Sequence, residues 1–267
     1  MAALGFTLRH APPERLDLSP LIPAELAGKS LAEIEKIAVG TSRAGVRVGD
    51  VFAVSGEVGD EIRFEGHARL DNIGRSLNGG RIIVDGDVGA YLGRGMKKGA
   101  IEVSGSATGP YAGTMMTGGA IRIGGDAADG TAGSVPGAMH GMAGGLMVIA
   151  GAAGAYLGDR MRRGVIVVLG GTGDAAGARM VGGTIVADRL GTRAGAGMKR
   201  GTLIATAVDD LEPTFVPTGT YDGVFLAILA KHLATEAPEA EDLVPARTRR
   251  FRGDMAALGK GEVLVGG

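Results

Sequence analysis

The sequence predicts an all-β chain, a right-handed parallel β-helix of about seven regular coils, on three observations. The frame G-x-x-M-x-x-G-x-I-x-V recurs seven times. Each copy ends in two apolar residues two positions apart, the side-chain period of a strand. No ten-residue helical pattern separates the copies, so the units are not βαβ. A fixed period of this length means stacked units, none of which buries its apolar face alone. The right hand follows the general preference of parallel crossovers.

The copies run Gly74…Leu77…Gly80…Ile82…Val84, Gly93…Met96…Gly99…Ile101…Val103 and Gly113…Met116…Gly119…Ile121…Ile123. A fourth, with a degenerate anchor, reads Met139…Met142…Gly145…Met147…Ile149. Gly158…Met161…Gly164…Ile166…Val168, Gly177…Met180…Gly183…Ile185…Ala187 and Gly195…Met198…Gly201…Leu203…Ala205 follow. The anchors are 19, 20, 26, 19, 19 and 18 residues apart. At ~4.8 Å per rung, seven coils make a rod about 34 Å long. The methionines should point inward, where a flexible thioether fills irregular gaps.

Three segments frame this array. Residues 1–50 read as a lead-in and cap, with turns at Pro12-Pro13, Pro20 and Pro23 and a short helix near Ser30–Ile37. Residues 51–208 are the glycine-rich solenoid, opened by irregular capping coils at Val46–Val48 and Ile62–Phe64. Asp126–Pro136 takes up the extra length of the 26-residue step as a bulging loop. In the tail, 209–267, the period stops. Tyr221–Leu233 predicts a helix packed on the solenoid or on a partner, Ala237–Arg252 an exposed charged segment, and Glu262–Val265 a last strand.

Composition narrows the function. The 267 residues carry a net charge of −1, which gives no electrostatic ground for binding nucleic acid. With no cysteine there is no thiolate metal ligand and no iron–sulfur cluster. No apolar run reaches membrane-spanning length and the start has no signal-peptide pattern, so the expected compartment is the cytoplasm.

Candidate active-site motifs fail on context. Gly93-Arg-Gly95-Met-Lys-Lys-Gly99 and Gly195-Ala-Gly197-Met-Lys-Arg-Gly201 are one residue too long for a dinucleotide fingerprint and precede strands rather than helices. Gly28-Lys29-Ser30 resembles the end of a P-loop, but Pro23 stands where its first glycine belongs, and Ser30 reads as a helix cap. Gly170-Gly171-Thr172-Gly173-Asp174 occurs once and reads as a turn. His10, His67, His140 and His232 show no ligand spacing, and only His140, on the inserted loop, stays of interest. Nothing here assembles a catalytic, cofactor or metal site.

Two surface features do repeat. Basic pairs follow the inward methionine in three coils, Lys97-Lys98, Arg162-Arg163 and Lys199-Arg200, and stacking would align them as an interrupted ridge suited to an acidic partner. The strand residue between the two inward positions is polar at Glu102 and Arg122 but becomes Val148, Val167, Val186 and Ile204. Such a stripe marks a covered surface, an interface with the chain's own helix or with another subunit.

The Met96–Gly99, Met161–Gly164 and Met198–Gly201 coils carry a resemblance over roughly residues 50–208. They resemble the C subunit of formylmethanofuran dehydrogenase and the C-terminal β-helix domain of glutamate synthase. A free-standing chain with a helical tail is most similar to the former, in the version found in the formyltransferase/hydrolase complex of methylotrophs. That resemblance implies a hetero-oligomer with an amidohydrolase-like hydrolase, a formyltransferase and a further subunit. The assembly would convert formyl-tetrahydromethanopterin to formate through formyl-methanofuran. It also implies that the chemistry belongs to sister subunits, with no cofactor and no catalytic residue in this chain. A polysaccharide-processing β-helix is the enzymatic alternative, but four Tyr and no Trp leave it few sugar platforms.

Overall fold

Residues 3–266 are described by a computed structural model. The strands are β1 Ala3–Leu8, β2 Leu16–Asp17, β3 Phe52–Ser55, β4 Glu57–Glu65, β5 Leu70–Asp71, β6 Asn78–Asp85, β7 Lys98–Val103 and β8 Thr117–Ile123. They continue as β9 Ala143–Ile149, β10 Arg163–Gly171, β11 Thr184–Leu190, β12 Arg200–Val208, β13 Val216–Tyr221, β14 Thr248–Gly253 and β15 Lys260–Gly266. Helices are few: α1 Pro23–Leu26, α2 Leu31–Ile34, α3 Val48–Val51 and α4 Val224–Glu236, with a 3-10 turn at Pro238–Leu243.

One sheet of 13 strands dominates, in the order β13-β14-β15-β12-β11-β10-β9-β8-β7-β6-β4-β1-β3. From β4 to β12 and on to β15 every pairing is parallel. The register stacks like on like: Ile82, Ile101, Ile121, Met147, Ile166, Ile185 and Leu203 form one buried column. Val84, Val103, Ile123, Ile149, Val168, Ala187 and Ala205 form the second. Leu77 and the methionines Met96, Met116, Met142, Met161, Met180 and Met198 are all buried in the same core. Turn regions stack as well, through parallel bridges from Val88 to Ala107, Ala127, Ala153 and Thr172. Aspartates lock these turns: Asp87 Oδ1 accepts the Ser106 N–H and Asp126 Oδ1 accepts the Ala152 N–H, each at 2.8 Å.

The structure corrects the fourth repeat. Its anchor is Ala132, not Met139: Ala132 N–H donates to Ala112 O, Met142 N–H donates to Ala132 O, and φ is +56° where the glycine anchors lie between +60° and +73°. Met139 is 80% exposed. The extra length therefore falls between Ala132 and Met142, and Asp126–Ala132 follows the ordinary path. The sequence hides this because alanine, not glycine, holds the left-handed position, at a strain cost of about 1–2 kcal/mol.

Other boundaries also move. Ile62–Phe64 is no irregular cap but part of β4, in register with Ile82–Val84, while Val46 and Arg47 lead into α3. The helix expected near Ser30–Ile37 is a single turn, α2, opened by the Ser30–Glu33 capping box. Tyr221 ends a strand, and α4 begins after Gly223. Ala237–Arg252 is not an exposed run: Ala237, Ala240, Val244 and Thr248 are buried, and β14 occupies its end. The last strand expected at Glu262–Val265 is β15, which pairs in parallel with β12 and adds one more rung.

Candidate functional site

The outer face of the sheet divides in two. Its first part is exposed and charged: Arg81 pairs with Glu102 at 2.8 Å and with Glu61 at 3.6 Å, and Arg63 with Glu61 at 2.7 Å. Opposite charges on neighbouring strands suit a solvated face. Further along, Val148, Val167, Val186, Ile204 and Leu264 stack in register. They form a second buried cluster with Leu226, Leu229 and Leu233 of α4 and with Ala237, Ala240 and Val244 after it. Leucines at intervals of three and four put one face of α4 onto this strip. Arg122, where the charged part ends, fastens the cover through Glu239 at 3.0 Å and the Glu236 carbonyl.

Lys97-Lys98, Arg162-Arg163 and Lys199-Arg200 are brought into one column. Arg162 N–H donates to Met142 O and Lys199 N–H to Met180 O, the same step that joins Lys97 to Leu77. Thr117-Gly118 and Ala143-Gly144 interrupt the column between the first two pairs, and Val181-Gly182 between the last two. All six side chains are exposed, and none enters an ion pair among the described residues.

A cleft of about 500 Å³ opens beneath the segment inserted after Ala132. The buried carboxylate of Asp159 anchors it. Arg179 donates through Nε and Nη2 at 2.8 Å each, and the Ser134 hydroxyl donates at 2.8 Å from the inserted segment. Arg160 reaches the Ala138 carbonyl at 3.3 Å, and Tyr111 and Tyr156 flank the opening. His140 lies on the same segment with Nδ1 2.9 Å from the Gly141 carbonyl, away from any metal-holding group: among the described residues no three His, Asp or Glu side chains are so placed. Asp159, Arg179 and Ser134 escaped sequence reading. The available signal was the broken period itself, which lies beside Asp159.

No family model matches the chain. Over 259 residues it is 50% identical to the C subunit of the formyltransferase/hydrolase complex Fhc of Methylorubrum extorquens, across 97% of each chain. A chain in the X-ray crystal structure of the FhcABCD complex from M. extorquens with methylofuran is 49% identical, with a TM-score of 0.94 over 98% of this chain and 99% of that one. The C subunit of the tungsten-containing formylmethanofuran dehydrogenase 2 of Methanothermobacter wolfeii is 36% identical over 101 residues, 36% of this chain and 37% of the relative.

Proposed function

Because this chain belongs to the family of the formyltransferase/hydrolase complex C subunit, we propose that it is the non-catalytic scaffold of such a complex. The observation that carries the reading is 50% identity sustained across 97% of both chains. Its partners are a hydrolase of the amidohydrolase type, a formyltransferase and a further subunit. The assembly transfers a formyl group from formyl-tetrahydromethanopterin to methanofuran or an analogue and hydrolyses the product to formate, in the cytoplasm. This chain contributes no cofactor.

The architecture suited to that role is a right-handed parallel β-helix of seven regular coils. Residues 1–50 cap it and 209–267 close it, with β15 as its final rung. Such a rod holds its faces by backbone ladders, so partners docked on it keep fixed relative positions. The strip of Val148, Val167, Val186 and Ile204 seats α4, and the column of Lys97, Lys98, Arg162, Arg163, Lys199 and Arg200 is the docking ridge for an acidic partner surface. Support for the ridge comes from its six unpaired, exposed charges in one column.

Co-expression of the four subunits with and without this chain tests the reading. The expected result is loss of co-purification among the others when it is omitted, and no formyl transfer or hydrolysis by the chain alone. Full assembly and turnover without it would overturn the scaffold role.

A further inference from the structure

The helix α4 is apolar on both of its faces. Its first seven residues, Val224 to Ala230, include no polar side chain. Leu226, Leu229 and Leu233 face the strip. At about 100° per residue, Val224, Ile228 and Lys231 fall on the opposite side. There Val224 is 75% exposed and Ile228 63%, and the exposed Ala227 beside them adds no polar group. A surface helix normally turns a polar face to water, whereas one that is apolar all round is a buried helix. The first half of α4 therefore has the composition of a helix covered on a second side.

Alongside α4 runs a trough of about 430 Å³, floored by Gly99, Gly119 and Gly145 and walled on the helix side by His232 and Glu236. His232 stands one turn after Ile228, so the exposed apolar row and the trough share an edge of the helix. The basic column forms the other bank. Lys98 directly precedes Gly99 at the start of β7, Arg163 opens β10 and Arg200 opens β12. All three are exposed, and none has a carboxylate partner among the described residues. Glu236 is the one carboxylate that lines the trough. Three rungs separate Lys98 from Arg163 and two separate Arg163 from Arg200, about 14 and 10 Å at ~4.8 Å per rung. An α-helix covers those spans in roughly three turns and two turns, so acidic residues on one of its faces meet all three cations. An extended strand covers them in about four and three residues, which turns the last side chain to the wrong face.

We propose that the outer row of α4 and the column of Lys98, Arg163 and Arg200 form one docking surface, and that its occupant is an amphipathic helix of a partner subunit. The apolar stripe of that helix packs on Val224 and Ile228, and its carboxylates meet the three cations across the trough. Charge complementarity selects the acidic flank, and the apolar row supplies the buried contact. The inference rests on the scaffold reading and narrows it to one face and one kind of partner segment.

The complex of four co-expressed subunits supplies the test. A photo-crosslinking benzoylphenylalanine at residue 228 of this chain should join it to one sister subunit, and mass spectrometry should place the link on a helix with acidic residues along one side. Val224→Gln together with Ile228→Gln should make that subunit dissociate about tenfold more readily, the loss of one well-packed contact. The melting temperature of the variant chain should hold, because both side chains are exposed. Lys98→Gln, Arg163→Gln and Arg200→Gln combined should remove most of the salt dependence of that subunit's retention. A link to a second copy of this chain, a link to a segment without acidic residues, or no link at all would overturn the proposal. So would full retention by the Val224–Ile228 variant, or a salt dependence that survives loss of the three cations. Whether the other three subunits assemble when this chain is omitted is read separately, so failure of the scaffold reading and failure of the docking face are told apart.

Discussion

Arg179 grips the carboxylate of Asp159 with two parallel hydrogen bonds of 2.8 Å, joining consecutive repeats across the edge where the inserted segment departs. The carboxylate is 5% exposed and the guanidinium 50%, so only one partner has lost its water. Removing Arg179 leaves a buried charge with Ser134 as its remaining side-chain donor. Arg179→Ala should cost about 2–3 kcal/mol, below the ~3–5 kcal/mol of breaking a fully buried pair because the guanidinium is half exposed. Asp159→Asn should cost less, because the amide loses the charge along with the partner. Urea denaturation of both variants checks the order, and an equal or reversed cost would contradict it.

Ala132 holds by strain a place that glycine holds elsewhere. At φ +56° an alanine is disfavoured, while glycine adds backbone entropy to the unfolded chain. Ala132→Gly should therefore stabilise by roughly 0.5–1 kcal/mol. Gly158→Ala should do the opposite, because its new Cβ falls 2.8 Å from Ile185 Cδ1. Thermal melts of the two single variants decide it.

Val167 and Val186 are fully buried beneath α4. A carboxylate at either position has no partner there, so Val167→Asp and Val186→Asp should each cost more than about 4 kcal/mol, the range of uncompensated buried charge. Glu102→Gln, on the exposed part of the same outer row, should change stability by less than about 1 kcal/mol, as surface pairs do. If both aspartate variants melt like the parent, the cover formed by α4 is not a stable contact.

Asp254 shapes the acid limb of stability. Burial pushes its carboxyl up, but hydrogen bonds outweigh that, among them those donated by the Gly197 N–H at 2.9 Å and the Ala256 N–H at 2.8 Å. The folded value is thus lowered below the unfolded one. Its contribution is full above the ordinary carboxylate range and is lost as pH falls through the lowered value. Asp254→Asn should flatten the pH dependence of the melting temperature below about pH 4. An unchanged acid limb would assign that limb to other carboxylates.

The repeating part of the fold was readable because one residue type recurs wherever one physical demand recurs. Methionine fills the core, glycine takes the left-handed anchor, and alternating apolar residues face inward. Reading failed where the demand stayed and the residue changed. Ala132 occupies a glycine position, so the glycine period alone puts the inserted segment at Asp126–Pro136 rather than between Ala132 and Met142. Arg250 and Arg252 look solvated in sequence, yet β14 pairs antiparallel with β15 and leaves both half-buried. The Val148–Ile204 stripe announced a cover, and α4 supplies one. The Asp159 cluster was invisible because its members, Ser134, Asp159 and Arg179, are up to 45 residues apart and share no period.

The strip and its cover are made at different times. Ribosomes add ~5–20 residues per second, and roughly 96 residues separate Val148 from Val244, so the strip waits about 5–20 s for the last of its cover. During that interval a nascent chain shows a continuous apolar row from Val148 to Ile204 on the strands already made, while β12 still awaits β15. Chaperones and sister chains emerging nearby compete for it. Synthesis slowed between Val186 and Leu226 therefore raises aggregation without altering a single native contact.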